Sequence, residues 1–377
     1  MQNADSQQIV ADLAVKKPRN SNLELLRIFA MLAIIAHHYV VNSTVMDHFT
    51  YDNPSTQQYF LLIWGRWGKT AINSFILISG YFLCKMTLTW QRWFKLLFQI
   101  YFYGILIMLL FAIFGYEPLT IKIVIKRFIG IFKYINNGFG SSFMVFYAFV
   151  PYYNKLISNI SKQQLTWLVL GLIFVFTICS TFLNAKTMNE PFWYMTLYFV
   201  AAYVNLYPSK FFSSLKIWSW ILVIGVLLAI ASVVGLFEIF KAHILDRPIW
   251  TTYHFVSDSN KILAFIVGFS AFMVAKNLPP FYNRFINIVS AGTFGVLLIH
   301  ASSNTMRRWL WQDICNVPGM LYSNFSTLFL QALLVPLVVF SVCSFIDYFY
   351  RKWIEKPLML KLNSQSKFVI QINKFLS

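Results

Sequence analysis

The feature that most constrains this chain is residues 23–41, an apolar run with the sequence LELLRIFAMLAIIAHHYVV. The run has the length that a transmembrane helix needs. Glu24 and Arg27 lie near its start, and His37 and His38 lie near its end. Ionisable groups inside a bilayer cost free energy, so they usually face the interior of a helix bundle and mark a functional site. The run therefore predicts a membrane-spanning helix with one working face.

Arg27 and His38 lie eleven residues apart. In a helix with roughly 3.6 residues per turn, this spacing places both side chains on one face, within about 20°, and about 16 Å apart along the axis. His37 projects about 80° away from Arg27 and is the weaker candidate. Glu24, one turn before Arg27, either orients it or forms a helix-end salt bridge without a function. The alternative for the two histidines is that both reach from the helix end towards the membrane interface.

The composition of the chain indicates an integral membrane protein. Of its 377 residues, 58% are hydrophobic and 12% are charged, whereas about 25% of an average soluble domain is charged. The net charge of +18 is interpreted as a topology signal with some attraction to anionic lipid headgroups. No basic cluster lies on a soluble domain, so nucleic-acid binding is not expected. The four cysteines form no close-spaced motif, so neither a disulfide framework nor a metal site is predicted.

Apolar runs of membrane-spanning length predict an all-α fold with about ten transmembrane helices. The runs cover residues 23–41, 68–84, 96–115, 142–160, 165–184, 192–207, 217–239, 261–276, 286–303 and 325–350. The second, sixth and eighth runs are short for a span. Residues 120–135 mix apolar and basic side chains and predict an amphipathic helix at the interface.

The distribution of basic residues predicts the orientation. With the N-terminus in the cytosol, 19 of the 31 Lys and Arg residues fall on the inner side, as the positive-inside rule requires. An even number of spans then puts both termini in the cytosol. The chain divides into a cytosolic N-terminal tail (1–22), one membrane domain (23–357) and a cytosolic C-terminal tail (358–377).

This topology suggests a mechanism for the first helix. Arg27 lies near the cytosolic surface, where a guanidinium holds phosphate or carboxylate through paired hydrogen bonds. His38 lies deeper in the membrane and nearer the outer side, where a histidine can act as general base on an acceptor hydroxyl. An anionic donor bound at the inner mouth would extend its reactive end to His38.

Other polar residues are weaker candidates. Ser79, in the segment FILISGYFL, accompanies a glycine that permits close helix approach, and its hydroxyl can bond across the interface. Arg92 and Lys95 follow that helix and either add to a phosphate site or anchor the chain at the interface. His300 lies at the outer end of the ninth predicted span, where a single histidine is more often structural.

Four segments together resemble the membrane-bound acyltransferase-3 family. They are LRIFAMLAIIAHH at 26–38, FILISGYFL at 75–83, TFGVLLIHASSNTMRRWLW at 293–311 and RKWIEKP at 351–357. The resemblance covers about residues 23–357. The first-helix motif of the family, a basic residue and a histidine separated by ten residues, falls here on Arg27 and His38. The family's basic pair after the second span is matched in part by Arg92 and Lys95.

The resemblance implies transfer of an acyl group, usually acetyl, from cytosolic acyl-CoA to an acceptor at the outer membrane face. The donor would be acetyl-CoA, and the acceptor a sugar hydroxyl of a surface or exported polysaccharide, as a glycan or a lipid-linked sugar. His38 would be the base or a transient acyl carrier, and Arg27 would bind coenzyme A or position the histidine. The location implied is a bacterial cell membrane.

A transporter or flippase is the second hypothesis, with Arg27 and His38 forming a substrate or proton pathway. Many carriers have ten to twelve helices with scattered polar groups. However, the chain has no repeated halves and no Gly/Pro-interrupted segments at matching positions. Dependence on acyl-CoA separates the two hypotheses, because a carrier needs no thioester.

Overall fold

The computed structural model describes residues 20–133, 135, 138–243 and 247–363. Throughout these ranges the regular structure is helical, without a strand. The helices are α1 Ser21–Val41, α2 Thr56–Trp64, α3 Trp67–Leu83, α4 Trp90–Ile113, α5 Ile121–Lys133, α6 Phe139–Asn159, α7 Lys162–Phe182, α8 Glu190–Leu206, α9 Leu215–Ala242, α10 Ile262–Asn277, α11 Arg284–Ser290, α12 Thr293–His300, α13 Asn304–Arg308, α14 Val317–Met320, α15 Phe325–Tyr350 and α16 Lys356–Asn363. The predicted cytosolic tails lie largely outside the described residues, although α16 begins before the C-terminal tail and continues into it.

Nine of the ten predicted spans are each one helix whose bounds differ from the prediction by a few residues, and the segment predicted to be interfacial is α5. The ninth predicted span is divided into two helices, α11 and α12. Five helices of the described chain are long and apolar enough to cross a membrane: Ser21–Val41, Trp90–Ile113, Lys162–Phe182, Leu215–Ala242 and Phe325–Lys361. A pair bent by 96°, Arg284–His300 and Asn304–Met320, makes a sixth if it is one span. The fold is consistent with an integral membrane protein, and the count of ten spans stays a prediction.

The helices alternate in direction. At one end of the bundle, which we call the His38 end, hydrogen bonds join Gln57 to Ser323, Glu117 to Thr305, Glu190 to Ser142 and Lys261 to Ser180. At the other, the Glu24 end, contacts join Ser21 to Asn287, Asn22 to Pro279, Asn154 to Met86, Asn277 to Phe212 and Lys95 to Glu355. The two sets alternate along the chain, so successive long helices are antiparallel, as a chain that crosses a membrane repeatedly requires.

Helices α1 and α3 form the centre of the bundle. Helix α3 packs against α1, α8 and α10, while α1 also packs against α11, α12 and α15. Glycines permit the close approaches, because a Cβ at Gly268 would lie 2.6 Å from the Cβ of Asn73 and one at Gly80 would lie 3.0 Å from the Cα of Tyr198. The Ser79 hydroxyl, which the sequence allowed to bond across a helix interface, donates instead to the Phe75 carbonyl of its own helix at 2.9 Å.

Candidate active site

A cavity of about 720 Å³ opens at the His38 end of the bundle. Its walls come from the end of α1, the start of α3, parts of α4 and α5, the start of α6 and the chain that follows α12. Its polar lining consists of His37, His38, Asn42, Lys69, Tyr101, Lys126, Arg127, Ser141, Glu190, Ser302, Ser303, Asn304 and Arg307. The volume is within the range of about 300–1,000 Å³ that is common for ligand pockets.

His38 is paired with His300 in the wall of this cavity. The Nδ1 atom of His38 lies 3.0 Å from Nε2 of His300, and Nδ1 of His300 lies 2.6 Å from the carbonyl oxygen of Val296. A carbonyl oxygen only accepts hydrogen bonds, so Nδ1 of His300 carries the proton. In a neutral imidazole the other nitrogen is then an acceptor, and Nδ1–H of His38 donates to it. This chain of bonds leaves Nε2 of His38 with a free lone pair, which is the form that a general base needs.

Packing between distant segments fixes this pair. His300 is fully buried and meets the ring of Trp311 edge-on at 6.5 Å between centroids. Tyr39, the neighbour of His38, meets the same indole edge-on at 6.0 Å. The structure thus places His300 in the interior beside His38, whereas the sequence suggested a histidine at the outer interface.

His37 lines the same cavity through a different anchor. Its Nδ1 atom donates to the main-chain carbonyl of Gly65, and its ring centroid lies 5.7 Å from that of His38. Gly68 at the start of α3 packs directly on the His37 ring, where a Cβ would overlap it. His37 is therefore held by the backbone between two glycines, while His38 is held by a second titratable ring.

Arg27 lies at the opposite end of α1, with Glu24. Its Nη1 atom is 3.2 Å from Oε2 of Glu24, and the Ser290 hydroxyl donates to the same carboxylate. Glu24 is buried, so this contact fixes the position of the arginine. Arg27 does not line the His38 cavity; the continuous helix α1 separates the two predicted catalytic residues by the expected three turns.

Arg92 and Lys95 lie at the Glu24 end as well. Arg92 donates to the carbonyl of Thr87 at 3.2 Å, and Lys95 forms an ion pair with Glu355 at 2.8 Å. The structure therefore groups the predicted donor-binding residues at one end of the bundle and the histidines at the other.

Sequence reasoning missed the basic side chains of the cavity. Lys126 and Arg127 were assigned only to an interfacial helix, and Arg307 only to an outer turn. All three were expected on the outer side, so their shared side of the membrane was the available signal. Their convergence beside His38 depends on tertiary packing.

A second buried polar cluster also had no sequence signal. Asp347 of α15 is fully buried and accepts from the Tyr103 hydroxyl at 2.9 Å, from Gln99 at 3.1 Å and from Arg351 Nε at 2.6 Å. Gly295 of α12 packs against the Asp347 carboxylate. The cluster ties α4, α12 and α15 together near the Glu24 end.

The fold and the cavity define a multi-helix protein, consistent with a membrane protein, that has a hydrogen-bonded histidine pair in the wall of its cavity. A family model described as an acyltransferase domain matches residues 20–351. The chain belongs to the acyltransferase-3 family, which confirms the resemblance seen in its motifs. Neither the curated proteins nor the solved structures compared with the chain include a significant match.

Proposed function

We propose that this protein is an O-acyltransferase that moves an acyl group, normally acetyl, from acyl-CoA to a hydroxyl of a glycan or lipid-linked sugar. Membership of the family supports acyl transfer. The observation that carries the assignment of the base is the hydrogen-bonded chain from the Val296 carbonyl through His300 to His38. This chain ends in a free ring nitrogen on a residue that lines the cavity.

In the proposed reaction, Nε2 of His38 removes the proton of the acceptor hydroxyl while the hydroxyl oxygen attacks the thioester carbonyl. A carbon–oxygen bond forms, the carbon–sulfur bond breaks, and the coenzyme A thiolate leaves and takes up the proton from His38. Nδ1–H of His38 stays bonded to His300 when the ring becomes cationic, and a hydrogen bond from a charged donor is stronger than a neutral one. A transient acyl group on His38 would use the same Nε2 lone pair.

Arg27 is proposed to hold the anionic end of the donor. It lies about 16 Å from His38 along the helix axis, and Glu24 fixes its position. A donor that spans this distance must be extended, which suits coenzyme A because its phosphates and its thioester lie at opposite ends of a long arm. Arg92 at the same end would add positive charge to this inner site, and Lys95, which is paired with Glu355, would lie beside it.

The proposed setting is a bacterial cell membrane, with the Glu24 end in the cytosol together with both termini and the His38 end at the outer face. The acceptor reaches the cavity from the outer side, and the surrounding lipid is in contact with the exposed apolar helix faces.

The test of this proposal uses membrane vesicles that contain the wild type or His38→Gln and the glycans of the host. Labelled acetyl-CoA is supplied on the cytosolic side, and the label in the glycan fraction is measured. Transfer by the wild type but not by His38→Gln supports the acyltransferase. Wild-type vesicles that move a solute and leave the thioester intact would instead support the carrier hypothesis.

A further inference from the structure

The cavity beside His38 has an excess of positive charge. Four basic side chains from three separate elements line it: Lys69, Lys126, Arg127 and Arg307. Among the described residues of the lining, Glu190 is the only carboxylate. It accepts hydrogen bonds from Ser142 at 2.6 Å and Tyr194 at 3.3 Å. Lys69 is paired with Asp258 at 3.4 Å, so the unbalanced charge is concentrated on Lys126 and the two arginines.

The two guanidinium groups use little of their hydrogen-bonding capacity within the described chain. Arg127 donates to the Ser302 carbonyl at 3.0 Å, and Arg307 makes one long contact of 3.5 Å with Asn304. Nε of Arg307 is buried without a hydrogen-bond partner among the described residues. A guanidinium has five N–H donors, and a buried donor without a partner costs free energy. These donors therefore need acceptors that the described chain does not supply.

Grouping cations in a half-enclosed site at a membrane is unfavourable without a counter-charge. Burial lowers the pKa of Arg127, because desolvation disfavours its charged form more than the nearby Glu117 carboxylate favours it. An anion in the cavity would offset the desolvation of the two arginines, because arginine binds phosphate and carboxylate through charge-assisted hydrogen bonds. A neutral sugar would not require such an excess of positive charge.

We propose that the cavity beside His38 binds an anionic group, a phosphate or carboxylate carried by the substrate, through Lys126, Arg127 and Arg307. This inference rests on the proposed acyl transfer and narrows its acceptor to a negatively charged glycan or sugar phosphate. Coenzyme A carries the same phosphate chemistry, so the experiment must distinguish an anion on the acceptor from one on the donor.

The chain offers a matched pair of variants. Lys126→Gln with Arg307→Gln removes two charges from the cavity. The control variant, Lys122→Gln with Arg308→Gln, removes the same amount of charge from exposed side chains that do not line the cavity. Lys122 lies one helical turn before Lys126, and Arg308 directly follows Arg307. Each double variant is purified in detergent, and its thermal unfolding midpoint is measured with methyl glucoside, glucose 1-phosphate or glucuronate. Release of coenzyme A from acetyl-CoA, and of pantetheine from S-acetylpantetheine, is measured in parallel.

The expected result is that glucose 1-phosphate or glucuronate stabilises the wild type and the control variant, whereas methyl glucoside does not. The affinity of the cavity variant for the charged sugars should fall about 100-fold, because two charge-assisted contacts are lost and each accounts for about tenfold. If the cavity variant instead raises the KM for acetyl-CoA and leaves that for S-acetylpantetheine unchanged, the anion site stands and its ligand is the donor.

Equal behaviour of the two double variants, towards both the charged sugars and acetyl-CoA, would overturn the anion site. If the wild type consumes neither thioester but still binds the charged sugars, the proposed acyl transfer is refuted and the anion site is not.

Discussion

Replacing His300 tests whether this residue positions the catalytic base. His300 accepts the Nδ1–H bond of His38 at 3.0 Å and is itself held by the Val296 carbonyl at 2.6 Å. Loss of the acceptor leaves His38 free to rotate and to change tautomer. Hydrogen bonds to charged groups are worth about 1.5–3 kcal/mol, and each 1.36 kcal/mol changes a rate tenfold. His300→Ala should therefore lower kcat roughly 10- to 150-fold, with a smaller effect on the KM for acetyl-CoA.

Two amides separate positioning from a purely structural role. In His300→Gln, the amide reaches about as far as Nε2 of the wild-type histidine, so it can still accept the hydrogen bond from His38. In His300→Asn, the amide reaches only about as far as Nδ1 of that histidine, so it can replace the bond to Val296 but not the bond to His38. We expect Gln to restore most of kcat and Asn to restore little of it, even where Asn gives the higher thermal stability.

The assay is steady-state release of coenzyme A by purified protein at saturating donor, with the unfolding midpoint of each variant measured beside it. Rates that follow the midpoints across Ala, Asn and Gln would show that His300 only supports the fold. A wild-type kcat in His300→Ala would refute the positioning argument.

Three further changes probe the surroundings of the site. Gly68→Ala places a methyl group against the His37 ring, so overpacking should cost about 1–3 kcal/mol of stability and lower activity. Asp347→Ala leaves Arg351 without its buried partner and should cost about 3–5 kcal/mol, seen as a lower unfolding midpoint at equal specific activity. Arg27→Ala should raise the KM for acetyl-CoA about tenfold or more, since one charge-assisted contact is lost, with partial recovery in Arg27→Lys.

Each of these changes has its own contrary result. An unchanged midpoint in Gly68→Ala would mean that α1 and α3 are not as closely packed as described. If the folded fraction of Asp347→Ala has a lower specific activity than the wild type, the buried cluster around Asp347 contributes to the reaction as well as to stability. A kcat loss with unchanged KM in Arg27→Ala would remove Arg27 from donor binding.

The sequence predicted the helices well because their signal is local. Nine of the ten apolar runs became one helix each with nearly the expected bounds, and the ninth became two. The predicted orientation, which depends on the distribution of basic residues, stays a prediction. The break between α11 and α12 was not predicted. At this break Gly292 lies so near Asp347 that a Cβ would be 2.8 Å from its carboxylate oxygen, and that contact depends on α15, far along the chain.

The site was predictable only where its residues share one helix. Arg27 and His38 were selected by their spacing alone, because eleven residues in a regular helix place two side chains on the same face. His300 and Arg307 are more than 250 positions from His38, and nothing in their own neighbourhoods specifies that they share a site with it. The contact of His300 with His38 is set by the packing of α12 against α1. Arg307 reaches the same cavity through the chain that follows α12, and periodicity encodes neither placement.

The most direct test of the central claim is thioester turnover by purified protein with labelled acetyl-CoA, comparing the wild type with His38→Ala and His37→Ala. Both histidines line the cavity, so the two variants make similar local changes and differ in the ring they remove. We predict that His38→Ala loses about 10²- to 10⁴-fold in rate, the usual contribution of a general base, while His37→Ala keeps most of its activity. Turnover that survives in His38→Ala, or that falls equally in both variants, would contradict the assignment of His38 as the base.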